Sequence, residues 1–258
     1  CIRDSLATVI GQIIGGVLAV ILNQKVNKEI HIQMKGFRPD FPLIGQIYGI
    51  GIPSIIMASI GSVMTYGMNL ILMGFSATAT AVFGVYFKLQ SFIFMPVFGL
   101  NNGVIPIIAF NYGAGKRDRV LKTIKTSIVM AVGIMIVGLL IFQLIPDVLL
   151  SLFEASETML AIGVPALRII SISYVFAGFC VGCGSVFQAL GYATYSMFVS
   201  IARQLLVLLP LAYLFSLSGN VNYVWFAFPI AELMSLVVSV VCLIHLNKKV
   251  ISKIGVES

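Results

Sequence analysis

Ser127-Ile-Val-Met-Ala-Val-Gly-Ile-Met-Ile-Val-Gly-Leu-Leu-Ile-Phe-Gln-Leu-Ile145 carries no charged side chain. Its length matches what a helix rising 1.5 Å per residue needs to cross a hydrocarbon core of about 30 Å. Before it stand Lys122 and Lys125; after it come Asp147, Glu154 and Glu157. The chain repeats this alternation of apolar block and short polar link. Further blocks run from Ser5 to Leu22, Leu43 to Phe75, Ala77 to Phe110, Met159 to Leu190, Tyr195 to Leu217 and Tyr223 to Leu246. Seven blocks of this kind predict an all-α integral membrane protein of about seven transmembrane helices, since open sheet edges cannot be satisfied in lipid. Composition agrees. Of the 258 residues 59% are apolar and 10% charged, with mean hydropathy +1.06. A soluble domain carries about 25% charged residues to cover its surface.

The net charge of +7 is distributed as membrane orientation, not as a nucleic-acid face. Lys25, Lys28, Lys35 and Arg38 follow the first block. Lys116, Arg117, Arg119, Lys122 and Lys125 follow the third, and Lys248, Lys249 and Lys253 follow the seventh. The links after the second, fourth and sixth blocks hold no Lys or Arg. The positive-inside rule therefore predicts Cys1 outside and Ser258 in the cytoplasm. The absence of an initiator Met and of a signal sequence predicts a fragment whose N-terminal part is missing.

No catalytic constellation is visible, so an enzyme is not expected. His31 and His245 stand apart, and no HExxH, GxSxG or acid pair lies within a block. Asn111-Tyr-Gly-Ala-Gly-Lys116 lacks the first glycine of a phosphate loop, where Phe110 stands, and the Ser or Thr after the lysine. Cys180 and Cys183 form a CxxC inside an apolar helix, with no second pair. Small residues on a packed helix explain it; a metal or redox pair is the alternative. Gly11 with Gly15, Gly45 with Gly49, Gly99 with Gly103, and Gly178 with Gly182 have the spacing that lets helices approach closely. Pro53, Pro96, Pro106, Pro210 and Pro229 fall inside blocks, with Pro165 near the start of the fifth. Each removes a backbone donor and tends to kink its helix, as transporters require and as membrane helices tolerate generally.

Ionisable residues within spans are the sharper signal, because each is costly in lipid unless it faces a partner or water. They are Lys88, Arg168, Arg203 and Glu232. Lys88 and Glu232 are expected at a polar cavity, with an interhelical ion pair or hydrogen bond the structural alternative for Glu232. Arg168 and Arg203 lie near span ends, where snorkelling to the interface is available.

Phe87-Lys-Leu-Gln-Ser-Phe-Ile-Phe-Met-Pro-Val-Phe-Gly-Leu100, followed by Pro106 and Asn111-Tyr-Gly-Ala-Gly-Lys-Arg-Asp-Arg119, resembles a helix and cytoplasmic loop of multidrug and toxic compound extrusion (MATE) transporters. Val186-Phe-Gln-Ala-Leu-Gly191, Arg203-Gln204 with Pro210, and Trp225 with Pro229-Ile-Ala-Glu232 are similar to that family's last three helices. Ala7-Thr-Val-Ile-Gly-Gln12 is similar to the end of its first lobe. Within the family the sequence looks like the MepA-like bacterial branch.

This resemblance implies a twelve-helix antiporter of two six-helix lobes. Residues 1–24 would then be the last helix of the first lobe and 25–42 a cytoplasmic interlobe linker. Residues 43–247 would be the second six-helix lobe and 248–258 a cytoplasmic tail. It further implies a bacterial plasma membrane, export of amphipathic, mostly cationic drugs and dyes in exchange for H⁺ or Na⁺, and alternating access between the lobes. No cofactor is implied. The implied partners are small amphipathic cations, the lipid bilayer and the missing first lobe, with no nucleic acid. The implied substrate pathway is Met64, Asn69, Lys88, Gln90, Phe94, Met95 and Glu232, with Arg168, Arg203 and Asn111 as gating or structural polar groups. One departure stands out. The family's sodium-coupled branch has a glutamate where this chain has Gly61, and no acid lies within the fifth block. The coupling carboxylate is therefore expected in the missing first lobe.

Met57, Met64, Met68, Met73, Met95, Tyr66, Tyr86, Phe92 and Phe94 would supply soft, repackable and π-rich walls. Two other functions compete: a lipid-linked sugar flippase of the same superfamily, which wants a more basic cavity, and a non-transporting membrane scaffold, which needs no buried charge.

Overall fold

A computed structural model of the chain describes residues 2–25 and 40–254. Lys28, His31, Lys35 and Arg38 of the expected linker, and the last residues of the expected tail, lie outside the described residues. Every described element is helical. The helices are α1 (Ile2–Lys25), α2 (Phe41–Met73), α3 (Ala77–Gly113), α4 (Arg117–Leu144), α5 (Pro146–Ser151), α6 (Glu157–Ser171), α7 (Tyr174–Ala189) and α8 (Ala193–Ile201). A π-helical stretch, Ala202–Leu208, leads into α9 (Leu209–Ser216), followed by α10 (Val221–Trp225) and α11 (Ala227–Lys249).

Among the described residues four stretches are long and apolar enough to cross a membrane: Ala77–Gly113, Arg117–Leu144, Ala193–Ser216 and Val221–Lys253. The pair α6 and α7, bent by 49°, makes a fifth. Two shorter apolar helices, Val9–Lys25 and Ser59–Met73, stand where the sequence places two further spans of its expected seven or so. The chain is a multi-pass membrane protein. It divides into a small unit ending at Tyr48 and a large unit beginning at Gly49, the division falling inside α2. The site lies wholly within the large unit.

Local chemistry sets the ends and bends. The Ser76 hydroxyl accepts from the Ala79 N–H at 3.0 Å and starts α3; Ser156 does the same for α6 through Met159. Gly115, at φ +68°, turns the chain between α3 and α4, and Gly191, at φ +83°, between α7 and α8; both conformations suit glycine. The break between α6 and α7 has no proline. Instead Ser171 Oγ donates to the Arg168 carbonyl and Ser173 Oγ to that of Ile170, and such back-bonding bends helices. Gln143 of α4 ties the break down, donating Nε2 to the Arg168 carbonyl at 2.7 Å and to Ser171 Oγ at 3.0 Å. Phe226 separates α10 from α11, three residues before Pro229, whose missing N–H cannot continue the ladder.

Inside lipid the apolar effect does not favour one helix face over another, so close packing holds the lobe together. Glycines provide it. A Cβ at Gly178 of α7 would meet Met135 Cγ of α4 at 2.9 Å and the Ala131 carbonyl oxygen at 3.1 Å. One at Gly182 would meet Ile128 Cγ1 at 3.1 Å. The Gly178–Gly182 pair thus packs α7 on α4, as its spacing predicts. Trp225, Phe83, Tyr86 and Tyr174 are fully buried in the core, with Phe83 stacked 6.4 Å from Trp225.

Candidate substrate cavity and ion pair

A cavity of about 860 Å³ opens in the large unit. Its walls follow from helical periodicity. From α2 come Gly61, Met64, Thr65, Tyr66 and Asn69; from α3 come Tyr86, Phe87, Gln90, Ser91, Phe94, Met95 and Phe98. Positions three and four apart share a helix face, so each set forms one stripe. Arg203, Gln204 and Leu208 enter from the π-helical stretch, and Phe228, Ala231 and Glu232 from α11. Phe94 is held edge-on against Tyr174, ring centres 5.7 Å apart.

At the wall Arg203 donates an Nη1 hydrogen bond to Glu232 Oε1 at 2.5 Å, forming an ion pair between elements 29 residues apart in sequence. The side chains are 24% and 13% exposed. These are the two formally charged side chains among the described cavity-lining residues. The sequence offered Arg203 a snorkelling role; the structure pairs it instead. The cause is Pro210. Its ring clashes with the carbonyl four residues back and it donates no N–H, so the preceding turn widens into a π-helix. There the Leu209 N–H reaches back five residues, to Gln204. A π turn re-phases side chains and recurs at functional sites. Glu232 Oε2 and Arg203 Nε are buried without hydrogen-bond partners.

Of the expected pathway residues, Met64, Asn69, Gln90, Phe94, Met95 and Glu232 all line the cavity. Lys88 does not. It lies about 100° round α3 from Phe87, at the margin of the lining stripe. Its flexible stem carries the ammonium over the Phe153 ring, 5.8 Å from the centroid. Arg168 is exposed on α6, where only its carbonyl is tied inward. Asn111 is buried beside the α3–α4 turn, donating Nδ2 to the Ile107 carbonyl at 2.8 Å while its own backbone carbonyl accepts from Lys116. That is a turn-building role, away from the cavity. Tyr66 and Tyr86 join the walls, Met68 is fully buried in the core, and Met73 and Phe92 point outward. Gln204 and Phe228 were not expected; a second polar residue beside Arg203, ahead of a proline, is the signal for Gln204. Gly61 lines the cavity, so the wall carries no acid there, and Glu232 supplies the carboxylate from the opposite end of the chain. No group of three His, Cys, Asp or Glu side chains able to hold a metal ion occurs among the described residues.

Residues 53–214 match the MatE family, which takes in α3 to α8 and most of α2 and α9. The chain belongs to the MatE family. Curated relatives include the multidrug export protein MepA of Staphylococcus haemolyticus (strain JCSC1435), 26% identical over 221 residues, and that of Staphylococcus aureus (strain N315), 23% identical over 222 residues. Each alignment covers 86% of this chain and 49% of the relative. The chain thus spans about half the length of the curated relatives it matches. Among solved structures, an outward-facing multidrug resistance MATE family transporter of the MOP superfamily superposes with a TM-score of 0.81 at 18% identity, covering 95% of this chain and 56% of that one. A MOP superfamily transporter from Pyrococcus furiosus, whose binding pocket is described as reversed in polarity, gives 0.77 at 20% identity over 92% and 53%. These likenesses establish the MatE fold.

Proposed function

We propose that this MatE chain forms the second lobe, with one preceding helix, of a multidrug efflux antiporter that exports amphipathic cations in exchange for H⁺ or Na⁺. The observation that carries the reading is the cavity itself. Its volume suits a drug-sized molecule. Its methionine and aromatic walls repack around varied shapes and offer π faces to cations, while Glu232 offers the one carboxylate. The similarity to multidrug export proteins supports the same reading. A flippase for an anionic lipid-linked sugar would want unpaired basic groups at the cavity, and Arg203 is paired.

In this reading Gln90, Asn69 and Gln204 supply adjustable hydrogen bonds, and a bound cation competes with Arg203 for Glu232. The first lobe closes the cavity, and rocking of the lobes exposes it alternately to the two sides. The protein sits in a bacterial plasma membrane with the α3–α4 turn and residue 258 in the cytoplasm, following the basic residues. A reporter fused at residue 258 reads out that side directly.

Ethidium accumulation in a pump-deficient bacterium expressing the full-length gene tests the activity. The expected result is low accumulation that rises when a protonophore collapses the gradient, with sodium replacement identifying the ion. Unchanged accumulation, with the protein present in the membrane, would overturn it.

A further inference from the structure

Behind the drug-sized cavity lies a second one of about 270 Å³, and Arg203, Phe94 and Phe98 line both. Its walls come from the second half of α3 (Asn101), from the middle and end of α7 (Cys180, Gln188), the start of α8 (Ser196) and α11 (Ser235, Ser239). It therefore extends from the ion pair toward the end of the lobe that carries the α7–α8 turn. At about 30 Å³ per molecule it has room for several waters.

Its chemistry is unlike that of a packing defect. Empty cavities are apolar, whereas this one sets hydroxyls and amides among its apolar walls. Ser235 Oγ, Ser239 Oγ and Asn101 Oδ1 are buried without hydrogen-bond partners, as are Nε of Arg203, which lines both cavities, and Oε2 of its partner Glu232 on the wall of the first. Ser235 and Ser239 are at most 1% exposed. Glu232, Ser235 and Ser239 are spaced three and four apart on α11, so they form one polar stripe running from the carboxylate along the helix. Buried polar groups in membrane proteins are paired or meet water.

We infer that this second cavity is a water-filled chamber that carries the coupling proton between Glu232 and the cytoplasm, by a route separate from the drug cavity, which puts a coupling carboxylate in this lobe and not, as the sequence reading expected, in the first. The inference rests on the antiport reading above. A proton arriving on Glu232 neutralises the carboxylate and frees the Arg203 guanidinium, so the drug cavity gains a positive charge that repels a bound cation. The same proton then leaves the carboxylic acid for chamber water and the cytoplasm, and Arg203 pairs again. The groups around Glu232 are few. Arg203 faces it from the π-helical stretch, Cys180 from α7 and Tyr86 from α3, with Tyr174 next to Tyr86. From α2, Tyr66 stands on the shared cavity wall.

Cys180 is a native probe of this chamber. In the full-length protein, Cys1→Ser, Cys183→Ala and Cys242→Ser, with any thiol outside this chain likewise replaced, leave it as the one thiol. Silver ion, small and reactive only with thiols that meet water, is applied to inside-out and right-side-out vesicles. The expected rate is at least tenfold faster from the cytoplasmic face, slowed at least tenfold by Ser239→Leu and unprotected by saturating ethidium. Ser196→Leu at the far end gives the same slowing should Ser239→Leu fail to fold. Infrared spectroscopy in heavy water adds the proton itself. The Glu232 carboxylic acid band, identified by its loss in Glu232→Gln, is expected to exchange at least tenfold more slowly in Ser239→Leu. An inert Cys180, equal reaction from both faces, protection by ethidium or unchanged exchange each overturns the chamber. Silver reactivity is independent of drug export. A one-sided reaction in a protein that exports no dye would therefore leave the chamber standing and remove the efflux reading instead.

Discussion

Replacing Arg203 and Glu232 singly and together isolates what the pair contributes. Two charges about 4 Å apart attract by about 4 kcal/mol at the effective dielectric of a partly buried site. Exposure of 24% and 13% to the cavity moves this toward the smaller value of surface pairs. Removing one partner, however, strands the other charge among buried groups, at a cost of about 3–5 kcal/mol. Arg203→Met or Glu232→Met alone is therefore expected to cost about 3 kcal/mol, near the bottom of that range. The double replacement, which leaves no unpaired charge and two side chains of suitable volume, is expected to cost less than either single one. A ΔΔG of 1 kcal/mol moves the melting temperature of a domain this size by about 2–4 °C. The singles should thus melt about 6–12 °C lower in detergent, followed by the fraction monodisperse after heating, and the double should recover most of that loss. Additive losses to within about 0.5 kcal/mol would mean that the two side chains act independently, and the site's central contact would have to be abandoned.

Gly178→Ala should lower the melting temperature through the Met135 and Ala131 contacts, a strain of about 1–3 kcal/mol, whereas Gly133→Ala, with nothing within 4 Å, should be neutral or mildly stabilising. Pro210→Ala restores an α-helical ladder and rotates Arg203 away from Glu232. Export should fall with the protein still folded, and retention of wild-type export would show that the π turn is dispensable. Met64→Ala and Phe94→Ala should each weaken dye binding by about tenfold, the scale of one lost large contact. Lys88→Ala should leave the dye Kd within twofold, because its ammonium sits at Phe153; a larger effect would place Lys88 in the pathway after all.

The passes and most of the cavity were legible because lipid imposes a simple rule: long apolar blocks become helices, and polar residues inside them converge. Glu232 was found this way, Gln90, Phe94 and Met95 came with the family resemblance, and the close contact at Gly178 and Gly182 came from the spacing of small residues. Lys88 was misplaced because four methylenes let its charge leave the face on which its Cα sits. The partner of Arg203 was hidden for a different reason. The direction of Arg203 depends on the π turn ahead of Pro210, and a proline announces a disturbed helix without saying whether it kinks or widens. The bend between α6 and α7 depends on two serine hydroxyls turning back to carbonyls, and Ser171-Ile-Ser173 reads equally well as continuous helix. The pairing of Glu232 with Arg203 is a tertiary fact. Each residue alone was recognised as costly, but the partner depended on how α11 packs against the π-helical stretch.

Trp225 is the only tryptophan in the chain, and it is fully enclosed. It stacks on Phe83, whose ring lies 6.0 Å from that of Phe228 on the cavity wall. The lobe therefore contains a single tryptophan emitter, shielded from water and separated from the substrate space by the rings of Phe83 and Phe228. Its blue-shifted emission overlaps the absorption of many polyaromatic dyes, so occupancy can be read as quenching by energy transfer with no label attached. Changes in emission wavelength without dye would report water reaching the α3–α10 packing.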